Sequence, residues 1–139
     1  MKKKFRSILL IDDNAADNRY NQIILEEMNI ADKVEIAETG IEALKKLENN
    51  NDSLPDLILL DINMPKMNGW EFLEAYKKLN TTNENKHAVV ILTTSMNPED
   101  KAKADSIAGV AEFNIKPLTP DMLHNIFAKY LSDNNPEKE

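Results

Sequence analysis

Cysteine is absent from this chain of 139 residues, and so are long apolar runs. Without cysteine the chain forms no disulfide, binds no metal through a thiolate and has no cysteine nucleophile. The longest aliphatic run, residues 88–92, is far shorter than the roughly 20 residues that a membrane-spanning helix needs. The basic stretch at residues 2–6 precedes only a short apolar segment and then two acids, which does not fit a secretory signal. We therefore expect a cytoplasmic protein that does not cross a membrane.

An excess of positive charge is also lacking, because 17 basic residues stand against 24 acidic ones and give a net charge of −7. An acidic chain repels nucleic-acid phosphate, so we expect no nucleic-acid partner. The content of hydrophobic residues, 42%, and of charged residues, 29%, is that of an ordinary globular protein. The length suits one domain. We expect a single domain over residues 1–139, with its core at about 6–131 and a polar tail at 132–139.

Continuous apolar runs at residues 8–11, 57–60 and 88–92 are typical of strands that are covered on both faces. Two shorter strand candidates lie at residues 34–37 and 111–115. Polar loops are predicted at residues 49–52 and 80–85.

Between these runs lie segments in which apolar residues recur at helical spacing, which predicts helices. The members are Ala16, Tyr20, Ile23 or Ile24 and Met28; Ile41, Leu44 and Leu47; Phe72, Leu73, Tyr76 and Leu79; and Leu123, Ile126, Phe127 and Tyr130. Asn97 before Pro98 and Thr119 before Pro120 are typical helix starts. The first of them predicts a helix over about residues 98–107.

A strand followed by a helix, repeated five times, predicts an α/β protein with a doubly wound, five-stranded parallel sheet, (βα)5. In such sheets ligands bind beyond the carboxyl ends of the strands, where the strand order reverses. Functional residues are therefore expected at that edge.

Polar side chains stand at the ends of four of the predicted strands. They are Asp12 and Asp13 after the first, Asp61 after the third, Thr93 and Thr94 at the fourth, and Lys116 after the fifth. Converging carboxylates repel one another unless a divalent cation, a raised pKa or a basic partner relieves them. A set of oxygen ligands favours Mg²⁺, or Mn²⁺, over zinc, and Lys116 offers a positive charge to an anion bound beside the metal.

Each of these residues alone has an ordinary structural explanation. An aspartate after a strand is commonly a turn former, and threonine at a strand end has high β propensity. The convergence of acids, a hydroxyl and an amine at one edge favours a functional site.

These features occur within four motifs. They are residues 8–14 (ILLIDDN), residues 55–65 (PDLILLDINMP) followed by Gly69, residues 92–94 (LTT), and Lys116-Pro117. In this order and spacing the chain resembles, over residues 8–131, the receiver domain of two-component response regulators, in particular stand-alone receivers of the chemotaxis type. The resemblance implies a flavodoxin-like strand order of 2-1-3-4-5.

The resemblance also implies roles for individual residues. Asp61 would accept a phosphoryl group from the phosphohistidine of a sensor histidine kinase or a phosphotransfer protein. Asp13, Asp61 and the backbone carbonyl of Asn63 would bind Mg²⁺, with Asp12 acting mainly through metal-bound water. Lys116 would pair with Asp61 or with its phosphoryl oxygens, and the Lys116-Pro117 bond would be cis.

The output of such a receiver is a changed protein-interaction surface, here the face of the fourth helix, fifth strand and fifth helix, which would bind a downstream protein target. Thr93 follows the apolar run directly and is our choice for the switch hydroxyl. Counting back from Lys116 favours Thr94 instead. Phe113 matches the aromatic switch position, although a core phenylalanine would fit there as well.

Three other functions remain to be weighed. A haloacid-dehalogenase-like phosphatase needs an aspartate two residues after its nucleophile, where this chain has Asn63 after Asp61 and Asn14 after Asp12. A flavodoxin-like FMN carrier would find its phosphate repelled by the acidic pair. A degenerate receiver, kept only as an interaction surface, would not need Asp61 and Lys116. We therefore predict a receiver that catalyses its own phosphorylation and dephosphorylation and is not an enzyme with a separate substrate.

Overall fold

The computed structural model describes residues 4–49, 55–79, 88–107 and 110–129. Five strands alternate with five helices in the order β1 (Phe5–Ile11), α1 (Ala15–Met28), β2 (Ala31–Ala37), α2 (Gly40–Asn49), β3 (Leu57–Leu60), α3 (Gly69–Leu79), β4 (Ala88–Thr93), α4 (Pro98–Asp105), β5 (Val110–Ile115) and α5 (Pro120–Phe127). Most of the polar loop predicted at 49–52, the loop at 80–85 and the tail at 132–139 lie outside the described residues.

The five strands form one parallel sheet in the order β2-β1-β3-β4-β5. The predicted fold class and strand order are therefore confirmed. The register pairs Ile11 with Leu60 and Leu60 with Ile91. Because the carboxyl ends of these neighbouring strands lie within two residues of one another in register, the polar residues there meet at one edge.

Helices cover the sheet on both faces, and each face has its own apolar core. On one face β-strand residues pack with Leu25, Leu123 and Ile126 of α1 and α5. On the other they pack with residues of α2 and α3, including Phe72 and Tyr76. Every residue of β3 and β4 is buried, as the uninterrupted apolar runs predicted.

The predicted starts of α4 and α5 are confirmed by their capping bonds. The side chain of Asn97 accepts a hydrogen bond from the Glu99 N–H at 2.9 Å, and Thr119 accepts one from the Met122 N–H at 3.2 Å. These bonds satisfy N–H groups that have no partner inside the helix. The fourth helix ends at Asp105, two residues before the predicted end. The Ser106 hydroxyl donates a hydrogen bond to the Lys103 carbonyl at 2.7 Å.

The predicted apolar face of α1 is wrong in part. Tyr20 is 47% exposed, and of the alternatives Ile23 and Ile24 the first is 41% exposed, whereas Ile24 packs against the core, as does Met28. Asn18, Asn21 and Leu25 are buried. The physical reason at Asn18 is a hydrogen bond of 2.8 Å from its amide to the Asp12 carbonyl. A buried amide that satisfies a backbone carbonyl at the end of β1 replaces the apolar contact that periodicity suggested.

The buried face of α2 and the start of β2 also differ from the sequence prediction. Ile41, placed on the apolar face of α2, is 50% exposed, and Ala43 is buried in its stead. β2 begins at Ala31 instead of residue 34, because Ala31 pairs with Phe5 at the start of β1. Pairing with a neighbour thus extends a strand into residues that have little apolar character of their own.

Candidate functional site

Backbone hydrogen bonds hold the polar residues in place just beyond the strands. The Asp61 N–H donates to the Ile11 carbonyl at 3.0 Å, and the Lys116 N–H donates to the Thr93 carbonyl at 2.8 Å. The ladder of the sheet therefore continues for one residue after β3 and β5. Asp61 and Lys116 are fixed relative to Asp12, which follows β1, by the sheet itself.

Three carboxylates meet at this edge. One oxygen from each of Asp12, Asp13 and Asp61 lies within 4.8 Å of the others. Asp12 and Asp61 are buried, while Asp13 is exposed and leaves the cluster open to solvent. Clustered carboxylate oxygens with access to water suit a hard divalent cation. The cluster is compatible with a metal site.

The Lys116 ammonium lies among the acids but contacts them unequally. Its Nζ is 2.7 Å from an oxygen of Asp12, 2.7 Å from an oxygen of Asp17 and 3.7 Å from an oxygen of Asp61. The sequence interpretation paired Lys116 with Asp61 or with its phosphoryl oxygens. The ion pair with Asp61 is present, but the two shortest contacts of Lys116 are to other carboxylates. Burial lowers the pKa of Lys116, but the hydrogen bonds to Asp12 and Asp17 outweigh burial and raise the pKa above its usual value.

Asp17 is a site residue that the sequence interpretation did not include. It lies in the first turn of α1, which begins directly after Asp12 and Asp13, and the carboxylate reaches Lys116 from there. The available signal was its position four residues after Asp13 in a helix that starts at the carboxyl edge. One turn of helix keeps such a residue beside the edge.

The pKa of the Asp61 carboxyl group is raised above its ordinary value. Burial is the main cause, and it raises the pKa of Asp61 to about 6. The negative charge of Asp12 raises the pKa further. The hydrogen bond from the Asn63 N–H and the positive charge of Lys116 lower it. A raised pKa and a basic partner, two of the responses expected from the sequence, are both present, and burial contributes more to the raised pKa than the charge of Asp12 does.

The loop after Asp61 is joined to the end of β4 through Asn63 and Thr93. The Asn63 side-chain amide donates to the Thr93 hydroxyl at 3.3 Å, and the Ser95 N–H donates to the same hydroxyl at 3.2 Å. The Asn63 backbone N–H donates to the Asp61 carboxylate at 3.2 Å. Thr93 is fully buried, whereas Thr94 is exposed in the bend that follows. The structure therefore brings Thr93 together with the Asp61 loop, and the described contacts of that loop do not include Thr94.

Phe113 lies on β5 opposite Ile91 and is partly buried. It packs in a small cluster that also contains Ile62, the residue after Asp61, and Ala104 of α4. The cluster against which Phe113 packs therefore joins the Asp61 loop to α4. The Lys116-Pro117 peptide bond is cis, as expected.

Gly69, the first residue of α3, closes the loop after Asp61. A Cβ at Gly69 would lie 2.6 Å from the Ile62 Cα and 3.0 Å from the Asp61 carbonyl oxygen. The Gly69 N–H also donates to the Ile62 carbonyl at 3.1 Å. Backbone atoms cannot move aside as a flexible side chain can, so this close approach requires glycine.

Gly69→Ala should lower the free energy of unfolding by about 1–3 kcal/mol, because the loop must shift away from the new methyl group. Urea denaturation measures the loss. Gly40→Ala is the matched control, since its Cβ would meet only the flexible side chain of Met67, at 2.6 Å from Sδ. An equal loss in both variants would contradict a special role for the Gly69 contact with the Asp61 loop.

A doubly wound sheet with three carboxylates and a lysine at its carboxyl edge is the arrangement found in receiver-type signalling domains. A sequence model of the response regulator receiver domain matches residues 8–128. The chain belongs to this family, whose members are signalling modules of two-component systems.

Comparisons with individual proteins lead to the same family. Chemotaxis protein CheY1 of Helicobacter pylori strain J99 is 31% identical over 128 residues, which cover 92% of this chain and 98% of that protein. Sensor histidine kinase CheAY of Helicobacter pylori is 31% identical over 119 residues, which cover 86% of this chain and 14% of the kinase. The crystal structure of a two-component response regulator from Cytophaga hutchinsonii matches this fold with a TM-score of 0.88 at 34% sequence identity. The match covers 94% of this chain and 100% of the other chain.

Among the described residues no helix is both long enough and apolar enough to cross a membrane.

Proposed function

We propose that this chain is a single-domain cytoplasmic receiver that accepts a phosphoryl group on Asp61 in a Mg²⁺-dependent reaction. The observation that carries the proposal is the position of the Asp61 carboxylate at the end of β3, where it lies beside two other carboxylates and 3.7 Å from the Lys116 ammonium. Phosphoryl transfer depends mainly on positioning and on neutralisation of charge. This edge offers a nucleophilic oxygen and groups that supply both.

The proposed reaction forms one bond and breaks one. A carboxylate oxygen of Asp61 attacks the phosphorus of a phosphohistidine and forms a P–O bond. The P–N bond breaks, and its electron pair stays on the imidazole nitrogen of the donor. Hydrolysis of the resulting acyl phosphate returns the carboxylate and releases phosphate, so the modified state is transient.

Asp12, Asp13, Asp61 and the backbone carbonyl of Asn63 are the groups proposed to hold Mg²⁺, with Mn²⁺ as a substitute. Bound there, the metal would neutralise charge on the phosphoryl oxygens. Lys116 is proposed to supply a second positive charge to the same oxygens. A lysine ammonium is charged at neutral pH, and the hydrogen bonds to Asp12 and Asp17 raise its pKa further despite its burial.

The donor is proposed to be a sensor histidine kinase or a phosphotransfer protein. One supporting observation is that a sensor histidine kinase carries a segment similar to this chain. A small phosphodonor such as acetyl phosphate can replace either donor in a test, because the proposed chemistry resides in the receiver.

Output is proposed to start at Thr93, with Thr94 as the alternative. If the Thr93 hydroxyl moves to the phosphoryl group, it leaves its contact with the Asn63 amide. The space around Phe113 then changes, and with it the face formed by α4, β5 and α5, which would bind a downstream protein target. Amide shifts that stay confined to the Asp61 loop after phosphorylation would contradict this step.

The proposed function is tested by incubating the protein with acetyl phosphate and Mg²⁺. We expect one equivalent of protein-bound phosphate that hydroxylamine releases, as an acyl phosphate requires. Labelling should fail when EDTA replaces Mg²⁺. Sustained turnover of added phosphomonoesters would instead indicate a phosphatase, and the absence of any labelling would indicate a receiver that serves only as an interaction surface.

Asp13→Ala should weaken Mg²⁺ binding by at least about tenfold, because it removes one of three clustered anions. Calorimetry measures the affinity, and the fluorescence of Trp70, which lies next to Gly69, offers a second reading. Asp32→Ala is the control, since Asp32 lies near the start of β2, at the opposite edge of the sheet, and pairs with Lys4 at 3.3 Å. Unchanged affinity in Asp13→Ala would exclude Asp13 from the ligand set.

A further inference from the structure

Three carboxylates compete for the one ammonium group of Lys116. Two of them, Asp12 and Asp17, are in hydrogen-bond contact at 2.7 Å, and the third, Asp61, is at 3.7 Å. The last distance exceeds that of a hydrogen bond. In the resting protein the lysine therefore donates its hydrogen bonds to Asp12 and Asp17, and its ion pair with the proposed phosphoacceptor is the longest of the three.

The two short contacts differ in their surroundings. The side chain of Asp12 is 6% exposed, whereas that of Asp17 is 38% exposed. Asp12 follows a central strand, and its carboxylate also accepts a hydrogen bond from the Asn14 N–H at 3.0 Å. Water can solvate Asp17 when its partner leaves, but it reaches Asp12 poorly. The contact with Asp17 is thus the easier of the two to break.

We propose that Asp17 is a positioning residue that holds Lys116 back from Asp61 in the resting protein and so slows phosphoryl acceptance. This inference rests on the proposed function of Asp61. An incoming phosphoryl group needs the ammonium for its oxygens, and it must first take the ammonium from Asp17. When the acyl phosphate is hydrolysed, Asp17 recovers the lysine and the resting arrangement returns.

Asp17→Asn is the variant that tests this inference. It preserves the size of the side chain and removes its charge, and the helix cap is unaffected because Asn14 binds the backbone N–H of Asp17. We expect the rate of labelling at limiting acetyl phosphate, with Mg²⁺, to rise by up to about fivefold, the upper end of the range for a partly exposed ion pair.

Two variants control for charge and for folding. Asp32→Asn also removes one negative charge and one ion pair with a lysine, but at the opposite edge of the sheet, and should leave the rate unchanged. Asp17→Glu keeps the charge and should reverse most of the gain.

The NMR signal of the Lys116 ε-methylene group supplies a reading that a merely structural role would not move. Asp17→Asn should shift this signal in the resting protein, because the ammonium loses a direct partner. After phosphorylation the wild-type and Asp17→Asn signals should nearly coincide, because the contact is then broken in both. A difference that remains equally large would overturn the inference.

The outcomes separate this inference from the proposed function. A wild-type protein that takes up no phosphate overturns the proposed function, and the inference fails with it. Normal wild-type labelling, with Asp17→Asn no faster than Asp32→Asn, overturns the inference alone.

Discussion

Asp61→Asn should abolish labelling by acetyl phosphate and leave the domain folded. Asparagine has nearly the shape of aspartate, and the Asp61 backbone bond to Ile11 does not depend on the side chain. The amide lacks the nucleophilic carboxylate oxygen that an acyl phosphate requires. We expect no hydroxylamine-labile phosphate in this variant, measured by intact-protein mass after incubation with acetyl phosphate and Mg²⁺.

The control for this prediction is Asp105→Asn. Asp105 lies at the end of α4 and forms an exposed ion pair with Lys101 at 3.4 Å, so its loss should change neither folding nor labelling. A folded Asp61→Asn protein that takes up one phosphate at the wild-type rate would show that another residue is the phosphoacceptor. Peptide mapping would then identify that residue, with Asp12 and Asp13 as the first to inspect.

The sheet could be predicted from the sequence because its signal is local. β1, β3 and β4 each contain an uninterrupted apolar run, at residues 8–11, 57–60 and 88–92. A strand segment that is buried on both faces requires such a run regardless of its neighbours. Once these strands are parallel, their carboxyl ends share one edge. The sequence alone was therefore enough to predict that Asp12, Asp13, Asp61 and Lys116 lie together at this edge.

Contacts made across the fold could not be predicted in the same way. Asn18 is buried because it binds the Asp12 carbonyl, and Asp17 reaches Lys116 across 99 positions of the sequence. Neither contact leaves a periodic trace. The sequence also left the choice between Thr93 and Thr94 undecided, because it depends on the residue at which β4 ends. The end of β4 at Thr93 buries that residue and leaves Thr94 exposed, which favours Thr93 as the switch.

Asp61→Asn should also stabilise the protein at neutral pH when no divalent metal is bound. Burial raises the pKa of Asp61 from 3.8 to about 6, so the folded protein binds this proton more tightly than the unfolded chain does. Between these two pKa values the folded state carries more protons, and the stability of the wild type therefore falls as the pH rises. Above about pH 6 the full cost is present, on the order of 2–3 kcal/mol.

The uncharged asparagine avoids this cost at every pH. In EDTA near pH 7.5, Asp61→Asn should therefore exceed the wild type in free energy of unfolding by up to about 3 kcal/mol, and the gap should narrow as the pH falls through 6 towards 4. Urea denaturation at several pH values measures it, with Asp105→Asn expected to follow the wild type throughout. Mg²⁺ should also narrow the gap, because it binds the folded wild type preferentially.

A difference in free energy of unfolding that is absent, or that does not depend on pH, would show that the fold does not oppose the charge on Asp61. A gap that behaves as expected would mean that the chain maintains a destabilising carboxylate at this edge, which is reasonable for a group that is kept for its chemistry.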